Sequence, residues 1–193
     1  KEPVGDIILP RLGWTLLLVG TSLFITLLIG IPLGVYTARH KGNWIDQGVS
    51  TLIVLGISIF IPLIAFLLVY FFSLTLDWTP VGGAVTPDVD DEDRLADIAL
   101  HMVLPTITLV IVNLAQIVLY TRGSMLDVLK EDYIRTARAK GLSETRILLR
   151  HALRTSLIAF VTLFGLDFGA LVGGSALLTE VVFGLQGVGK LTY

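Results

Sequence analysis

Few residues in this chain have types and spacing suited to chemistry. The segment Gly184-Leu-Gln-Gly-Val-Gly-Lys190-Leu-Thr spells most of a phosphate-binding loop. Such a loop needs Gly, four residues, then Gly-Lys and a Ser or Thr. Its backbone N–H groups wrap the phosphates, the Lys reaches the outer ones and the hydroxyl holds Mg²⁺. Leu191 stands where that hydroxyl should be, and no strand pattern precedes the segment, so it reads as a Gly-rich turn. The second candidate is Asp167, inside the apolar run TLFGLDFGALVGGSALL. A charge at bilayer depth costs about 2.5–3.5 kcal/mol even on insertion scales, so Asp167 must face a cavity or a partner group. It would line a translocation pathway, or serve as the proton or cation site of an ion-coupled carrier. Asn113 and Gln116, in the preceding apolar run, could line the same cavity or simply bond to adjacent helices. His101 reads as an interfacial residue rather than a ligand. Paired carboxylates, metal-spaced histidines and Ser/His pairs are missing from the apolar runs, and there is no Cys for a thiolate nucleophile or metal site. The sequence therefore predicts no catalytic residue and no metal site.

The elements that must position these residues are membrane helices. With 54% apolar and 16% charged residues and a mean hydropathy of +0.82, the composition lies far from that of soluble domains. The formal net charge of -2 decides little, because placement matters more than the sum. Four runs reach the ~20 residues a spanning helix needs: 12–36, 49–76, 98–120 and 155–179. The first three hold no Asp, Glu, Lys or Arg, and Trp14, Tyr36, Trp44, Trp78 and Tyr120 lie near their ends, at headgroup level. The first run is too long, and lacks a basic leader directly before it, for a cleavable signal peptide. Pro32, between Gly30 and Gly34, and Pro62 predict kinks. Gly165, Gly169 and Gly173 recur every four residues and would let the fourth span pack closely on the same span of a partner chain or on a neighbour in the chain.

Charge orients the spans, since short cytoplasmic loops are rich in Lys and Arg. Arg39 and Lys41 follow the first span, and Arg122, Lys130, Arg135, Arg138, Lys140, Arg146, Arg150 and Arg154 follow the third. The loop between, 77–97, carries seven acidic residues (Asp77, Asp88, Asp90, Asp91, Glu92, Asp93 and Asp97) against Arg94 alone. It reads as extracytoplasmic, and its composition suggests disorder. The order out, in, out, in, out leaves the Gly-rich turn on the side without ATP.

The 121–154 loop is too regular for a linker. Leu126, Leu129, Tyr133, Ile134 and Ala137 recur at spacings of three and four, predicting one amphipathic helix from Ser124 to Lys140. Gly141 would end it as a C-cap. Ser143 would cap a second helix with its hydroxyl, with Glu144 in its first turn and Arg150 and His151 in its last. Ile147, Leu148 and Leu149 are expected to be exposed for packing. Such a basic, partly apolar surface suits a groove on a partner protein, or anionic lipid.

The run DYIRTARAKGLSETRILLRHALR resembles the EAA loop of ABC-importer permeases, in the form of the dipeptide/oligopeptide/nickel branch. Ala137, Gly141 and Leu153 match the general pattern, while Arg135, Thr136, His151 and Arg154 replace its Glu, first Ala, Ile and Pro. The resemblance extends to Gly30-Ile-Pro-Leu-Gly34, to Leu104-Pro105, and from Leu178-Thr-Glu180 through Val182-Phe183 to Gly187 and Gly189. The Arg-Thr-Ala-Arg form, with His-Ala-Leu-Arg behind it, is more similar to the first of the two permeases that pair in such importers.

The resemblance implies an all-α polytopic membrane protein with the type I importer permease fold, in a prokaryotic plasma (inner) membrane. Such permeases usually have six spans, so residues 1–193 are expected to be a single permease domain in a fragment with four of them. It implies inward movement of peptides or similar solutes by alternating access, with no cofactor on this chain and ATP and Mg on partner subunits. The implied partners are a second permease in a heterodimer, two ABC ATPase subunits, an extracytoplasmic solute-binding protein and membrane lipid, but no nucleic acid. Coupling to the ATPases would fall on Asp132, Tyr133, Arg135, Thr136, Ala137, Arg138, Lys140, Gly141, Leu142, Ser143, Glu144 and Ile147. A cytoplasmic helix pair has no evident use in an ion-coupled carrier.

The charge alternation makes the topology testable with an impermeant maleimide, because the chain has no Cys of its own. Asp90→Cys should be labelled in intact cells and Lys140→Cys only after permeabilisation; the opposite pattern would invert every assignment of side.

Overall fold

The computed structural model describes residues 4–86, 92–170, 174 and 176–188, with the side chains of residues 4–7, 10, 159, 163, 166, 167 and 170 outside the description. The described residues form helices and turns and no strand. In lipid, where water cannot satisfy backbone groups, helices are one of the two structures that can span. Helix α1 covers Val4–Arg39 and α2 Trp44–Ser58. Helix α3, Ile61–Leu68, continues as a wider π-helical stretch, Val69–Thr75. Helix α4 covers Arg94–Val128, and α5 Asp132–Ala139. The single turn α6, Glu144–Arg146, passes through a π-helical stretch, Ile147–Ala152, into α7, Leu153–Ala170. Helix α8 is Ala176–Phe183.

Two helices, Arg11–Arg39 and Arg94–Val128, are each long and apolar enough to cross a membrane, and Trp44–Ser58 with Ile61–Thr75 adds a third if that broken pair is one span. The break corrects the expectation of one kinked helix over 49–76. Phe60 is extended (φ -74°, ψ 116°) and Pro62 sits at the start of α3, where its missing N–H costs nothing. Pro32 and Pro105, by contrast, lie within α1 and α4 without ending them. The 155–179 run is helical over Leu153–Ala170, beyond which residues 171–173 and 175 lie outside the described ones. Hydroxyls within the helices are satisfied locally: Thr21, Thr37, Ser58 and Thr108 each donate to a carbonyl four residues back.

The contacts divide into two compact units. The first comprises Lys1–Ile25, Ile59–Val112 and Gly169–Tyr193. Leu18 and Val19 of α1, Ala65 of α3, Met102 and Leu109 of α4, and Phe183 and Leu185 form its core. The stretch 77–86 is ordered against this core rather than disordered. Gly83 N–H donates to the Phe183 carbonyl (2.8 Å). Thr86 donates both its N–H and its hydroxyl to the Asp97 carboxylate (2.7 Å each). Of the seven acidic loop residues, Asp88, Asp90 and Asp91 lie outside the described ones.

The second unit comprises Thr26–Ser58 and Asn113–Phe168. Here α1 meets α4 at backbone distance. A Cβ on Gly30 would lie 2.6 Å from Ile117 Cγ2, and one on Gly34 2.6 Å from Thr121 Cβ and 3.2 Å from the Val118 carbonyl. This is close packing of the small-xxx-small kind. Val49 and Ile53 of α2 join Leu33, Leu114, Ala115 and Val118 in one cluster. A second cluster gathers Ala38, Met125, Ile134, Ala137, Ile147, Leu148 and Ala152.

That second cluster explains why the predicted Ser124–Lys140 helix does not exist as one piece. Met125 and Ile134 are both fully buried in it, yet nine residues at ~100° each would put them on opposite sides of a continuous helix. The chain instead ends α4 at Val128 through Lys130 N–H to Asp127 and Glu131 N–H to Val128 (3.1 Å each), then restarts at Asp132.

The Gly34 contact predicts that Gly34→Leu destabilises the solubilised protein by about 1–3 kcal/mol through overpacking. Gly20→Ala, where nothing lies within 4 Å, should leave the thermal midpoint unchanged. Equal midpoints for both variants would remove the α1–α4 contact from the account.

Candidate coupling site

Helix α5 carries two faces. Ile134 and Ala137 are buried, whereas Asp132, Tyr133, Arg135, Thr136, Arg138 and Lys140 are exposed. The buried pair holds the short helix to Met125 of α4, Ala38 of α1 and the Ile147–Ala152 stretch. The outer face is ordered by local contacts, with the Thr136 hydroxyl donating to the Asp132 carbonyl (3.0 Å) and Arg135 pairing with Asp132 (3.4 Å).

The elbow after α5 is a complete Schellman motif. Gly141 N–H donates to the Arg138 carbonyl (2.9 Å) and Leu142 N–H reaches back to Ala137 (3.3 Å). Gly141 has φ +75°, a region that side chains other than Gly enter at a cost. Across the elbow, Arg138 donates from Nε and Nη2 to Glu144 (2.8 and 3.4 Å). With side chains 44% and 53% exposed, that pair contributes at most about 1 kcal/mol, so the backbone motif sets the geometry.

Ser143 occupies the N-cap position as expected, but its hydroxyl makes no cap bond; its carbonyl accepts from Ile147 N–H (3.0 Å) instead. The second loop helix is not free-standing either. Its backbone runs on through the π-helical stretch into α7. Ile147 and Leu148, expected on the surface, are buried, and only Leu149 of the three is exposed. The apolar triplet is thus mostly internal packing, and Ile147 supports the surface from beneath.

The pathway candidates fare unevenly. Asn113 and Gln116 are half-buried in α4, and Gln116 donates to the Tyr120 hydroxyl of its own helix (3.0 Å). The Asp167 side chain lies outside the description; its backbone is in α7. A Cβ added to Gly165 or Gly169 would meet no atom of the described residues within 4 Å, so no described neighbour in the chain packs on that ridge; Gly173 lies outside the described residues. His101 is buried, with Nδ1 2.9 Å from the Asp97 carbonyl. Among the described residues no group of three His, Cys, Asp or Glu is arranged to hold a metal.

The Gly-rich turn follows a helix, α8, rather than a strand. Leu185 N–H donates to the Glu180 carbonyl (2.9 Å) and Val188 N–H to the Thr15 hydroxyl (3.1 Å). The fully buried Glu180 carboxylate lies where a Cβ on Gly187 would fall. Residues 189–193, with Lys190 and Leu191, are outside the described ones.

Sequence reasoning missed one interaction. Arg122 donates from Nε and Nη2 to Asp46 (2.8 and 3.0 Å), whose Oδ2 also accepts from Gly42 N–H (2.9 Å). The only hint was Asp46 itself, a lone acid in a loop read as basic.

The long apolar helices, the two-faced helix α5 and the glycine elbow leading into α7 together are those of a type I importer permease fold. Residues 30–193 match the family described as binding-protein-dependent transport system inner membrane component. The chain belongs to that family, and is a polytopic membrane protein of it. It is 40% identical over 189 residues to the oligopeptide transport system permease protein AppB of Bacillus subtilis, covering 98% of this chain and 59% of that protein. It is also 40% identical over 191 residues to the glutathione transport system permease protein GsiC of Escherichia coli K12, covering 99% and 58%. The chain thus spans about three-fifths of the length of these relatives. Its fold matches a chain of the MetNI methionine ABC transporter, solved in inward facing conformations, with a TM-score of 0.74 at 20% identity, over 100% of this chain and 82% of that one.

The left-handed φ at Gly141 predicts that Gly141→Val costs about 1–2 kcal/mol locally and redirects the chain entering α6. Membrane abundance should stay within twofold of wild type, since the substitution touches no spanning helix, while solute uptake falls at least tenfold. Normal uptake at normal abundance would refute the elbow's role.

Proposed function

We propose that this chain is the membrane-embedded permease part of an ATP-driven importer that moves peptides or similar solutes inward by alternating access. One observation carries the reading: the exposed, charged face of α5 is held rigidly by its buried face and by the Gly141 elbow. A presented surface without bond chemistry suits docking and transmission of force. Asp132, Tyr133, Arg135, Thr136, Arg138 and Lys140 would contact an ATPase subunit. Ala137, Gly141, Leu142, Ser143, Glu144 and Ile147 would hold the surface in shape. The names of the relatives, an oligopeptide and a glutathione permease, favour a peptide-class solute.

ATP hydrolysis belongs, on this reading, to two separate ATPase subunits, and this chain binds no cofactor. The Gly-rich segment follows a helix rather than the strand that a phosphate-binding loop needs, which supports keeping nucleotide away from the turn. A second permease and an extracytoplasmic solute-binding protein complete the assembly, with lipid around it and no role for nucleic acid. Both basic loops fall in the second unit, and the acidic loop and Gly-rich turn in the first. Solute and nucleotide act on transport only through their different affinities for the inward-open and outward-open states. Asp167 stays as a proposed wall of the pathway, with Asn113 and Gln116. The ion-coupled carrier draws no support from the family and is set aside.

The test is affinity purification of the tagged permease after expression with candidate ATPase subunits, followed by reconstitution with a solute-binding protein. ATPase subunits should copurify, and peptide uptake should require ATP. Uptake that follows an ion gradient without ATP would reject the importer.

A further inference from the structure

We propose that the Asp46–Arg122 ion pair is the strut through which movement of the coupling loop is passed to α2. The inference rests on the importer reading above and adds residues that neither the loop pattern nor the family match singles out. Arg122 lies in the one turn of α4, Thr121 to Met125, on which the inner ends of the second unit converge. Thr121 packs against Gly34 of α1. Met125, fully buried, packs with Ile134 and Ala137 of α5 and accepts at its sulfur from the Ser156 hydroxyl of α7 (3.2 Å). Between these two residues Arg122 reaches Asp46, in the first turn of α2.

The geometry distinguishes this pair from the other ion pairs of the unit. Lys130–Asp127, Arg135–Asp132 and Arg138–Glu144 join neighbours within six residues and are all exposed. Asp46 and Arg122 are 76 residues apart in sequence, with side chains only 5% and 21% exposed. Two parallel N–H donors on two carboxylate oxygens fix direction as well as distance. The Gly42 N–H and the first turn of α2 further hold the carboxylate. The remaining cluster contacts of α2, Val49 and Ile53 against Leu114, Ala115 and Val118, are apolar and non-directional. They permit sliding that the ion pair does not.

Asp46 and Arg122 are thus positioning residues, and their signature is coupling rather than folding. The test uses the complete permease in its assembled transporter, reconstituted with the solute-binding protein. Wild type is compared with Asp46→Asn, Arg122→Lys and the exchange Asp46→Arg with Arg122→Asp. Assembled complex, ATP turnover and solute moved per ATP are measured together. Asp46→Asn should keep assembly within twofold of wild type while solute moved per ATP falls about fivefold or more. Arg122→Lys, which keeps the charge and loses the fork, should fall less, and the exchange should recover at least half of the lost ratio. An unchanged ratio in Asp46→Asn, or a loss of uptake that only tracks lost complex, overturns the strut while leaving the importer standing. A wild-type complex that hydrolyses ATP without ATP-dependent uptake overturns both.

Discussion

Helix α1 offers α4 no side chain at Gly30 and Gly34, and the arrangement of the second unit follows from that. With Ile117 and Thr121 lying against bare backbone, the two helices approach more closely than side chains would allow. Arg122 is then one position past a fixed contact, and Met125 one turn past it. An ion pair to α2 and an apolar anchor for α5 are placed by the same turn. Each of these contacts is modest alone. Sharing one turn of one helix makes them move together.

Polar chemistry is distributed accordingly. Thr21, Thr37 and Thr108 inside the helices donate to carbonyls of their own backbone. Asp132, Arg135, Arg138, Lys140, Glu144 and Arg146 form an exposed, charged group on α5 and around the elbow. The backbone is helical without a break from Glu144 through the π-helical stretch into α7.

Much of this was legible in the sequence because it depends on local pattern. Apolar length marks α1 and α4, and Gly141 after an amphipathic run, with Ser143 two residues on, marks the elbow and its helix-ending role. The family resemblance rested on the same loop. What was illegible depends on distance. The three-and-four spacing from Leu126 to Ala137 looked like one helix because periodicity cannot register that Met125 and Ile134 must turn to the same cluster. Ile147 and Leu148 were placed outside because a basic, amphipathic loop does not reveal which helices cover it. Arg122 reads as one of eight basic loop residues and no local pattern singles out Asp46 as its partner, since 76 residues separate the two. Ser143 was read correctly as to position and wrongly as to its hydroxyl, because the backbone carbonyl alone served the turn.

The Gly-rich turn after α8 closes on an acid of the chain itself. The Glu180 side chain is fully buried and lies where a Cβ on Gly187 would fall, so any residue with a side chain at 187 would have to displace a buried carboxylate. Glycine at that position is explained by packing alone.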